Sequence, residues 1–203
     1  METFLRVLLT GDRATALERA RRELAHGGLE HVYDDLLKPA LERIGELWQQ
    51  GRLSLADEHV ATAVVQATMT ALYPEVRWPA RGAKAVVATV PGEEHALGAR
   101  MVSDLLALDG WDDVYVPCSE SAQALAARVK EEGAVLVALS VSLRSHVPAL
   151  RATIEAIHRA APGAKILAGG RGLEEVANGA ELGVDLLEKE ARRGVNDARR
   201  FKS

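Results

Sequence analysis

Two pairs of a carboxylate and an imidazole stand out in this sequence. One pair is Glu58-His59, with Trp48 placed before it across nine intervening residues. The other is Glu93-x-His95, followed by Gly98. An imidazole nitrogen can bind a metal, and a nearby carboxylate can accept the other ring N–H and so fix the tautomer. Because the two histidines belong to separate parts of the chain, the pattern indicates a flat metal macrocycle held from two sides rather than a bare ion.

Each of these residues, taken alone, has a simpler interpretation. Trp48 favours a position in a core, Glu58-His59 a solvated helix start, and His95 a surface or capping position. Gly169-Gly170 alone is an ordinary turn, and the run Gly-Gly-Arg-Gly lacks the spacing of a dinucleotide-binding fingerprint. The joint occurrence of these features, in this order, favours a cofactor site.

The composition is that of an ordinary globular protein. The chain has 203 residues, of which 48% are hydrophobic and 27% charged, and its net charge is −4. This charge balance argues against a nucleic-acid-binding surface, which would be basic. No apolar stretch approaches the length of a membrane span, and the first residues do not resemble a signal peptide. The single cysteine, Cys118, excludes an internal disulfide framework, so a cytoplasmic location is expected.

Residues 1–78 are predicted to form a cap domain that is a bundle of four helices. The first helix would span residues 3–9. Asp12 is the expected N-cap of the second helix, which would end at Gly27-Gly28. Short turns would join the helices of this bundle.

The third and fourth helices carry the first group of candidate residues. The third has an apolar stripe that reaches Trp48, and Pro39 predicts a kink or a break within it. Ser54 would cap the fourth helix, with Asp57 as the acidic partner in a capping box. Glu58 then falls on a stripe that is otherwise apolar.

Residues 79–203 are predicted to form a flavodoxin-like (Rossmann-like) domain with a five-stranded parallel sheet. Short apolar runs alternate here with helical patterns, which implies a parallel sheet covered on both faces. The expected strands cover residues 84–90, 114–116, 135–140, 166–168 and 184–187. The expected helices cover residues 95–108, 121–132, 147–160 and 173–177, with a final one after residue 188.

Three loops of this domain follow the carboxyl ends of strands, where open α/β sheets bind ligands. They comprise residues 91–98, 140–145 and 169–172. Ser140 and Ser142 would bring hydroxyls to the end of the third strand, and Gly169-Gly170 would leave a floor without side chains after the fourth. Such a slot suits an elongated, partly polar ligand tail.

These motifs resemble a known signature. The Glu93-x-His95-x-x-Gly98 run, the Ser140-x-Ser142 strand end and the Gly169-Gly170 pair are similar to the three-part signature of cobalamin-binding Rossmann-like domains. The segment before them resembles the helical cap of methionine synthase and of corrinoid proteins. Trp48, nine residues and then Glu58-His59 are similar to the motif of CarH-type cobalamin-dependent photoreceptors.

The resemblance implies a role for each matching residue. His95 would be the lower cobalt ligand, oriented by Glu93. Trp48 would shield the upper face, and Glu58 would help to hold an adenosyl group there. His59 would become the upper cobalt ligand after light has broken the Co–C bond. The tail of the cofactor would occupy the slot lined by Gly98, Ser140, Ser142, Gly169 and Gly170.

The implied function is that of a photoreceptor module without catalysis. Adenosylcobalamin would lie between the cap and the Rossmann-like domain, and light would change packing or oligomeric state. The sequence carries no basic recognition helix of the MerR type, so no direct DNA binding is expected. The output would then pass through a homo-oligomer or a protein signalling partner. A linear tetrapyrrole (bilin) would need no attachment to cysteine, and the residues neither require nor exclude one.

Two other functions stay open. A corrinoid methyl carrier of a methyltransferase system would use the same fold and the same His95, but its cap must open to substrates, which a bulky Trp48 beside Glu58-His59 opposes. A plain flavodoxin-like interaction domain would require accidental motif matches.

The remaining candidate side chains have weaker predictions. His146 is predicted to be a solvated loop residue, with a position at the corrin edge as the alternative. Arg171 is expected equally to contact the cofactor tail or to point into solvent. His26, His31 and His158 are predicted to be solvated helix residues.

Overall fold

A computed structural model describes residues 1–117, 121–176 and 178–202 of the chain. Two units can be separated, Met1–Arg77 and Trp78–Ser203. The predicted domain boundary lies one residue later, between residues 78 and 79. Cys118, and Ala177 at the end of one predicted helix, lie outside the described residues.

The first unit is helical, as the sequence periodicity predicts. The Asp12 carboxylate caps the second helix by accepting the Thr15 N–H at 3.0 Å. Ser54 and Asp57 form the predicted capping box at the start of the fourth. Both helix starts are therefore encoded by neighbouring residues. The helices are α1 (Glu2–Leu9), α2 (Arg13–His31), α3 (Lys38–Gln49) and α4 (Leu55–Leu72), with a π-helical segment at Val32–Leu37 and a 3-10 turn at Tyr73–Glu75.

The two interruptions before the main part of α3 have different causes. Gly28 has φ 75° and ψ −174°, so the chain turns at the glycine where the predicted second helix ends. Pro39 lies in the first turn of α3, which directly continues the π-helical segment. Proline has no N–H to donate and its ring crowds the preceding turn. The wider π-helical segment ends just before Pro39, so the predicted kink is replaced by a π turn that leaves the proline where a helix tolerates it.

Trp48 is one of the large apolar side chains that the helical unit leaves exposed, together with Leu55, Val60 and Tyr73. The stripe of α3 is buried as far as Ile44, but Trp48 is 44% exposed although the stripe includes it. A large aromatic ring is thus left at the surface near the end of α3. The fully buried side chains of this unit include Leu8, Ala16, Ala20, Val32, Leu37, Ala40, Ala61, Val65 and Leu72.

The second unit is built on a five-stranded parallel sheet with the order β2-β1-β3-β4-β5. This is the flavodoxin-like order, so the predicted fold class is confirmed. The central strand β3 and its neighbour β1 are buried on both faces, as is expected of a parallel sheet covered by helices on both sides. The strands are β1 (Lys84–Thr89), β2 (Asp112–Val116), β3 (Leu136–Ser140), β4 (Lys165–Gly169) and β5 (Leu186–Glu188).

The helices of this unit follow the prediction with one error. The predicted helix at residues 173–177 does not form in its described part, where a 3-10 turn at Arg171–Leu173 is followed by a hydrogen-bonded turn. The Gly172 N–H donates to the Val141 carbonyl at 3.0 Å, which ties this segment to the loop after β3. The helices are α5 (Leu97–Leu108), α6 (Ala122–Glu132), α7 (Val147–Ala160) and α8 (Ala191–Ala198). No helix in the described part of the chain has the length and apolar character needed to cross a membrane.

Candidate functional site

The candidate residues of the second unit lie along one edge of the sheet. Thr89 of β1 is paired with Ser140 of β3, and Ser140 with Gly169 of β4. Each of the three is the last residue of its strand, so the loops that follow emerge side by side at the carboxyl edge. The Tyr115 hydroxyl from β2 donates to the Ala96 carbonyl at 2.9 Å and anchors the residue that precedes α5.

Glu93 connects two of these loops. Its side chain has no exposed surface, and its backbone N–H donates to the Val90 carbonyl at 3.0 Å. The carboxylate accepts from the backbone N–H of His95 at 3.0 Å and from the ring Nδ1 of His95 at 2.5 Å. It also accepts from three groups of the loop after β3, which are the backbone N–H groups of Ser142 at 2.8 Å and Leu143 at 3.2 Å and the ring Nδ1 of His146 at 3.0 Å.

These donors keep Glu93 ionised. Burial alone would raise the pKa of Glu93, but the hydrogen bonds from His146, from the backbone and ring of His95, and from the Ser142 N–H lower it from 4.5 to about 2. An ionised carboxylate can only accept hydrogen bonds, so Nδ1 of each histidine carries the proton. In a neutral ring, the nitrogen that is left as an acceptor or metal ligand is then Nε2.

His95 offers that nitrogen to a ligand. Its side chain is 53% exposed, and Nδ1 is held by Glu93. A neutral Nε2 backed by a carboxylate on Nδ1 is the usual arrangement of a metal-binding histidine. The sheet edge can therefore supply one nitrogen ligand of defined tautomer.

Three more of the predicted site residues lie at the carboxyl edge of the sheet. They are Ser140, Ser142 and Gly98. Ser142 contributes its backbone N–H to Glu93, whereas the sequence directs attention to its hydroxyl. A Cβ added to Gly98 would lie 3.9 Å from Ser140 Oγ, so Gly98 faces the end of β3. Arg171 is exposed in the 3-10 turn after β4. The contacts of these residues with a cofactor tail stay predictions.

Gly169 and Gly170 are required by the packing of the backbone itself. A Cβ on Gly169 would lie 2.5 Å from the Glu188 carbonyl oxygen on β5, closer than real side chains come. Gly170 has φ 107°, and a Cβ there would collide with the backbone of Val141. The absence of side chains at these two glycines thus lets the end of β4 pack closely against β5 and the loop after β3. Their predicted contact with a ligand stays a prediction.

The prediction that His146 is a solvated loop residue is wrong. The residue ends a 3-10 turn at Arg144–His146, its side chain is only 22% exposed, and its Nδ1 contacts Glu93. The two residues are 53 positions apart, so no local motif connects them. The one signal in the sequence is that His146 follows the end of a strand whose loop lies at the ligand edge.

Two further histidines also have partners. His31 Nε2 lies 2.9 Å from a carboxylate oxygen of Glu23, and its Nδ1 lies 2.5 Å from Asp35. His158 Nε2 lies 3.0 Å from the Gly183 carbonyl oxygen. Neither is simply solvated. Helix spacing brings His31 to Asp35, whereas its contact with Glu23 spans the turn at Gly28 and the contact of His158 joins segments that are 25 residues apart.

Trp48, Glu58 and His59 belong to the helical unit. Trp48 lies near the end of α3, and Glu58-His59 lies near the start of α4. The Glu58 carboxylate accepts the Thr62 hydroxyl at 2.8 Å. The His59 side chain is 68% exposed, and its Nε2 lies 3.6 Å from Glu58 Oε2, a distance for a weak ion pair and not for a hydrogen bond. The helical unit therefore has an imidazole and an indole at its surface, and their roles toward a cofactor stay predictions.

Within residues 1–117, 121–176 and 178–202, no three or more His, Cys, Asp or Glu side chains are grouped so that they could hold a metal ion. At the sheet edge, the more exposed histidine ring is that of His95, at 53%, compared with 22% for His146. One such nitrogen would suit a metal that a macrocycle already holds.

Comparison with protein families decides the cofactor class. Residues 83–194 match a family described as B12 binding domain, and residues 1–73 match a second family with the same description. The first match alone covers more than half of the chain. The chain belongs to the B12-binding domain family. The cobalamin-binding module that the sequence resembles is thereby confirmed.

Known proteins resemble this B12-binding chain to different extents. The HTH-type transcriptional repressor CarH of Myxococcus xanthus is 35% identical over 67 residues, which are 33% of this chain and 22% of CarH. The chain thus spans about a fifth of the length of that relative.

Solved structures of B12-binding proteins share the fold along almost the whole chain. The monomethylamine corrinoid protein of Methanosarcina barkeri superimposes with a TM-score of 0.81 at 17% identity, over 98% of this chain and 96% of that one. A cobalamin-binding protein from Desulfitobacterium hafniense DCB-2 gives a TM-score of 0.54 at 20% identity, over 99% and 98%. At these identities the similarity establishes the helical cap and the Rossmann-like fold, and nothing about activity.

Proposed function

We propose that this B12-binding chain is a light sensor that holds adenosylcobalamin between its helical cap and its Rossmann-like domain. The sensor itself would carry out no catalysis. Its output would be a change of packing or of oligomeric state, transmitted to another copy or to a protein partner. Direct contact with DNA is not part of the proposal, because the chain has a net charge of −4.

The donor set at the sheet edge fits a corrinoid. A corrin ring supplies four nitrogens of its own, so the protein needs to add one ligand on the lower side. His95 has the required properties, with Nδ1 bound to a buried carboxylate, Nε2 as the acceptor nitrogen, and a half-exposed ring. Within the proposal, His95 binds the lower face and Glu93 keeps its ring in one tautomer.

The observation that favours a sensor over a carrier is that the cap carries both an exposed indole, Trp48, and the Glu58-His59 pair. An indole that is 44% exposed near the end of α3 gains from being covered by an apolar partner. We infer that Trp48 covers the upper side of the cofactor and excludes water and substrates from it. Glu58 would orient the adenosyl group, and the exposed His59 ring would be available to the upper side when that group has left. Adenosylcobalamin supplies the light-sensitive Co–C bond.

The similarity to CarH supports the same proposal at the level of sequence. An identity of 35% over 67 residues joins this chain to a transcriptional repressor whose other parts it does not span. A linear tetrapyrrole is left out of the proposal, because no described residue requires one.

A corrinoid methyl carrier is the second candidate. The solved structure that superimposes with a TM-score of 0.81 is a monomethylamine corrinoid protein, matched over nearly the full length of both chains. That similarity concerns the fold, which a carrier and a sensor can share. A carrier has to expose the upper face of the corrin to a methyltransferase, and Trp48 with Glu58-His59 opposes this.

The test is the visible spectrum of the protein loaded with adenosylcobalamin in the dark and then illuminated. A sensor should change to a stable spectrum of nitrogen-ligated cobalt that differs from photolysed free cofactor. His59→Ala should bind adenosylcobalamin in the dark as the wild type does and give a different lit spectrum. His26→Ala, which removes another exposed histidine of the same helical unit, serves as the matched control and should behave as the wild type.

The outcomes separate the candidates. A lit spectrum identical in the wild type and in His59→Ala would remove the upper-ligand role. A protein that binds methylcobalamin and passes its methyl group to a methyltransferase, with no stable product of illumination, would be a carrier. A protein that binds no corrinoid would contradict both.

A further inference from the structure

We propose that His146 is a positioning residue that acts through Glu93 to fix the tautomer and the orientation of the His95 ring. The effect of His146 on cobalt binding by His95 rests on the proposed function. Its effect on the tautomer and orientation of the His95 ring can be measured in the protein without cofactor. The proposal for His146 and the proposed function can therefore fail separately.

The division of donors between the two oxygens of Glu93 is the first observation. Oε1 accepts both donors from His95, its backbone N–H and its ring Nδ1. Oε2 accepts the ring Nδ1 of His146 together with the backbone N–H groups of Ser142 and Leu143. Two imidazoles thus bind opposite oxygens of one buried carboxylate. A rotation of the carboxylate that releases one of them also breaks bonds to the other.

His146 is itself held in place. Its backbone N–H donates to the Leu143 carbonyl at 2.9 Å, which closes the 3-10 turn. Its Nε2 lies 4.0 Å from the position of a Cβ on Gly92, the residue with φ 84° that precedes Glu93. The ring therefore lies beside the turn that presents Glu93, and it donates to the carboxylate at the same time. A side chain fixed in this way can transmit its position.

His95 depends on that support because little else restrains its ring. The side chain is 53% exposed, so packing contributes little, and among the described residues its ring hydrogen-bonds to Glu93. Two backbone N–H groups would still hold Oε2 if His146 were removed, so Glu93 should stay buried between the two loops. The plane of the carboxylate would be less well defined, and with it the ring of His95. This predicts a loss of order at His95 without a loss of the fold.

The test compares three variants of the full chain. His146→Ala removes the donor. His146→Asn restores it, because the amide Nδ2 of asparagine is separated from Cα by the same number of bonds as the ring Nδ1 of histidine. His158→Ala is the matched control, since His158 lies in the same unit and its ring contacts the Gly183 carbonyl oxygen at 3.0 Å, outside the ligand edge.

Two measurements are made on each protein. The first is the ¹⁵N chemical shifts of the His95 ring without cofactor, which report the tautomer. The second is a titration with adenosylcobalamin in the dark, in which visible absorption distinguishes nitrogen-ligated from water-ligated cobalt. His146→Ala should show a mixture of His95 tautomers and bind about tenfold more weakly, with more water-ligated cobalt. His146→Asn and His158→Ala should show one tautomer and bind within about twofold of the wild type.

The proposal is overturned if His146→Ala keeps a single His95 tautomer. It is also overturned if His146→Asn loses the single His95 tautomer and the affinity for adenosylcobalamin as much as His146→Ala does. The ring of His146 would then act by filling space and not by donating a hydrogen bond. If the wild type binds no adenosylcobalamin, the proposed function fails, while the ring tautomers still decide whether His146 positions His95.

Discussion

At the scale of single residues, the site depends on one buried carboxylate that accepts from five donors within the described part of the chain. The Glu93–His95 pair could be predicted, because two residues in the same loop are close whatever the fold. The part played by His146 could not, because it depends on where the loop after β3 lies. Likewise, Ser142 attracts attention through its hydroxyl, but what the structure uses is its backbone N–H, which any residue except proline would supply.

Replacing Glu93 by glutamine should weaken both the site and the fold. The amide group would turn one acceptor into a donor that faces N–H groups, so buried hydrogen bonds would be left unmade. The free energy of unfolding without cofactor should fall by about 1–3 kcal/mol. Cobalamin affinity should fall about 10- to 100-fold, because His95 would lose its carboxylate partner. Urea unfolding and a spectrophotometric titration would measure the two effects.

The control for this substitution is the neighbouring Glu94→Gln, which changes an exposed carboxylate in the same loop. It should leave stability and affinity close to those of the wild type. Equal effects of the two substitutions would mean that the charge of the loop matters and the contacts of Glu93 do not.

At the scale of elements, local chemistry predicted the starts of helices better than the irregular segments. Asp12 and Ser54 cap helices as expected because a cap involves residues three apart. The π-helical segment before Pro39 was not predicted. A kink and a wider helical turn can both accommodate the missing N–H and the ring of proline, and only packing selects between them. The predicted helix after β4 fails because Gly172 bonds to the loop after β3, a contact that spacing alone does not reveal.

Ser54→Ala should destabilise the helical unit by about 1 kcal/mol, because the Asp57 N–H would lose its side-chain acceptor. Glu58 and His59 lie in the first turns of the same helix, so fraying there would loosen both. Ser54→Thr keeps the hydroxyl and should retain most of the stability. Urea unfolding followed by far-UV circular dichroism measures the difference, and equal losses in both variants would contradict a capping role.

Asp185, which precedes the short strand β5, should make the free energy of unfolding depend on pH. Its carboxylate accepts from Lys165 Nζ at 2.8 Å and from the Ile166 N–H at 2.9 Å. Burial raises the pKa of Asp185, but these hydrogen bonds outweigh burial and lower the pKa below 3.8. Its stabilising contribution is therefore complete above pH 3.8 and is lost as the pH falls toward the lower folded-state pKa.

Asp185→Asn should accordingly cost about 1 kcal/mol at neutral pH, and this difference from the wild type should shrink when urea unfolding is repeated at about pH 3. Glu131→Gln removes an exposed carboxylate of α6 and should keep the pH dependence of the wild type. A difference for Asp185→Asn that is the same at both pH values would show that ionisation of Asp185 does not matter.

At the scale of the whole molecule, the alternation of strands and helices was enough to predict the fold class. Helical periodicity in the first part and buried apolar runs in the second each follow from simple spacing rules. Two different family matches, over residues 1–73 and residues 83–194, agree with a chain made of two parts.

A light-dependent change of assembly is the prediction at this scale. The protein loaded with adenosylcobalamin should elute differently from a size-exclusion column in the dark and after illumination. The protein loaded with hydroxocobalamin, which has no Co–C bond to cleave, should elute identically in both conditions. An unchanged elution of the adenosylcobalamin form would leave a partner protein as the output and would contradict a homo-oligomeric switch.

The hydrogen bonds around Glu93 also have a consequence for how the protein could be made and used. The five donors found among the described residues belong to the protein itself, so the turn that carries His95 should be organised before any cofactor arrives. Synthesis in a cell that lacks the vitamin should then yield a folded protein without cofactor, which under the proposed function would not respond to light until the vitamin is supplied. Vitamin availability, and not folding, would set the moment at which such a cell begins to respond.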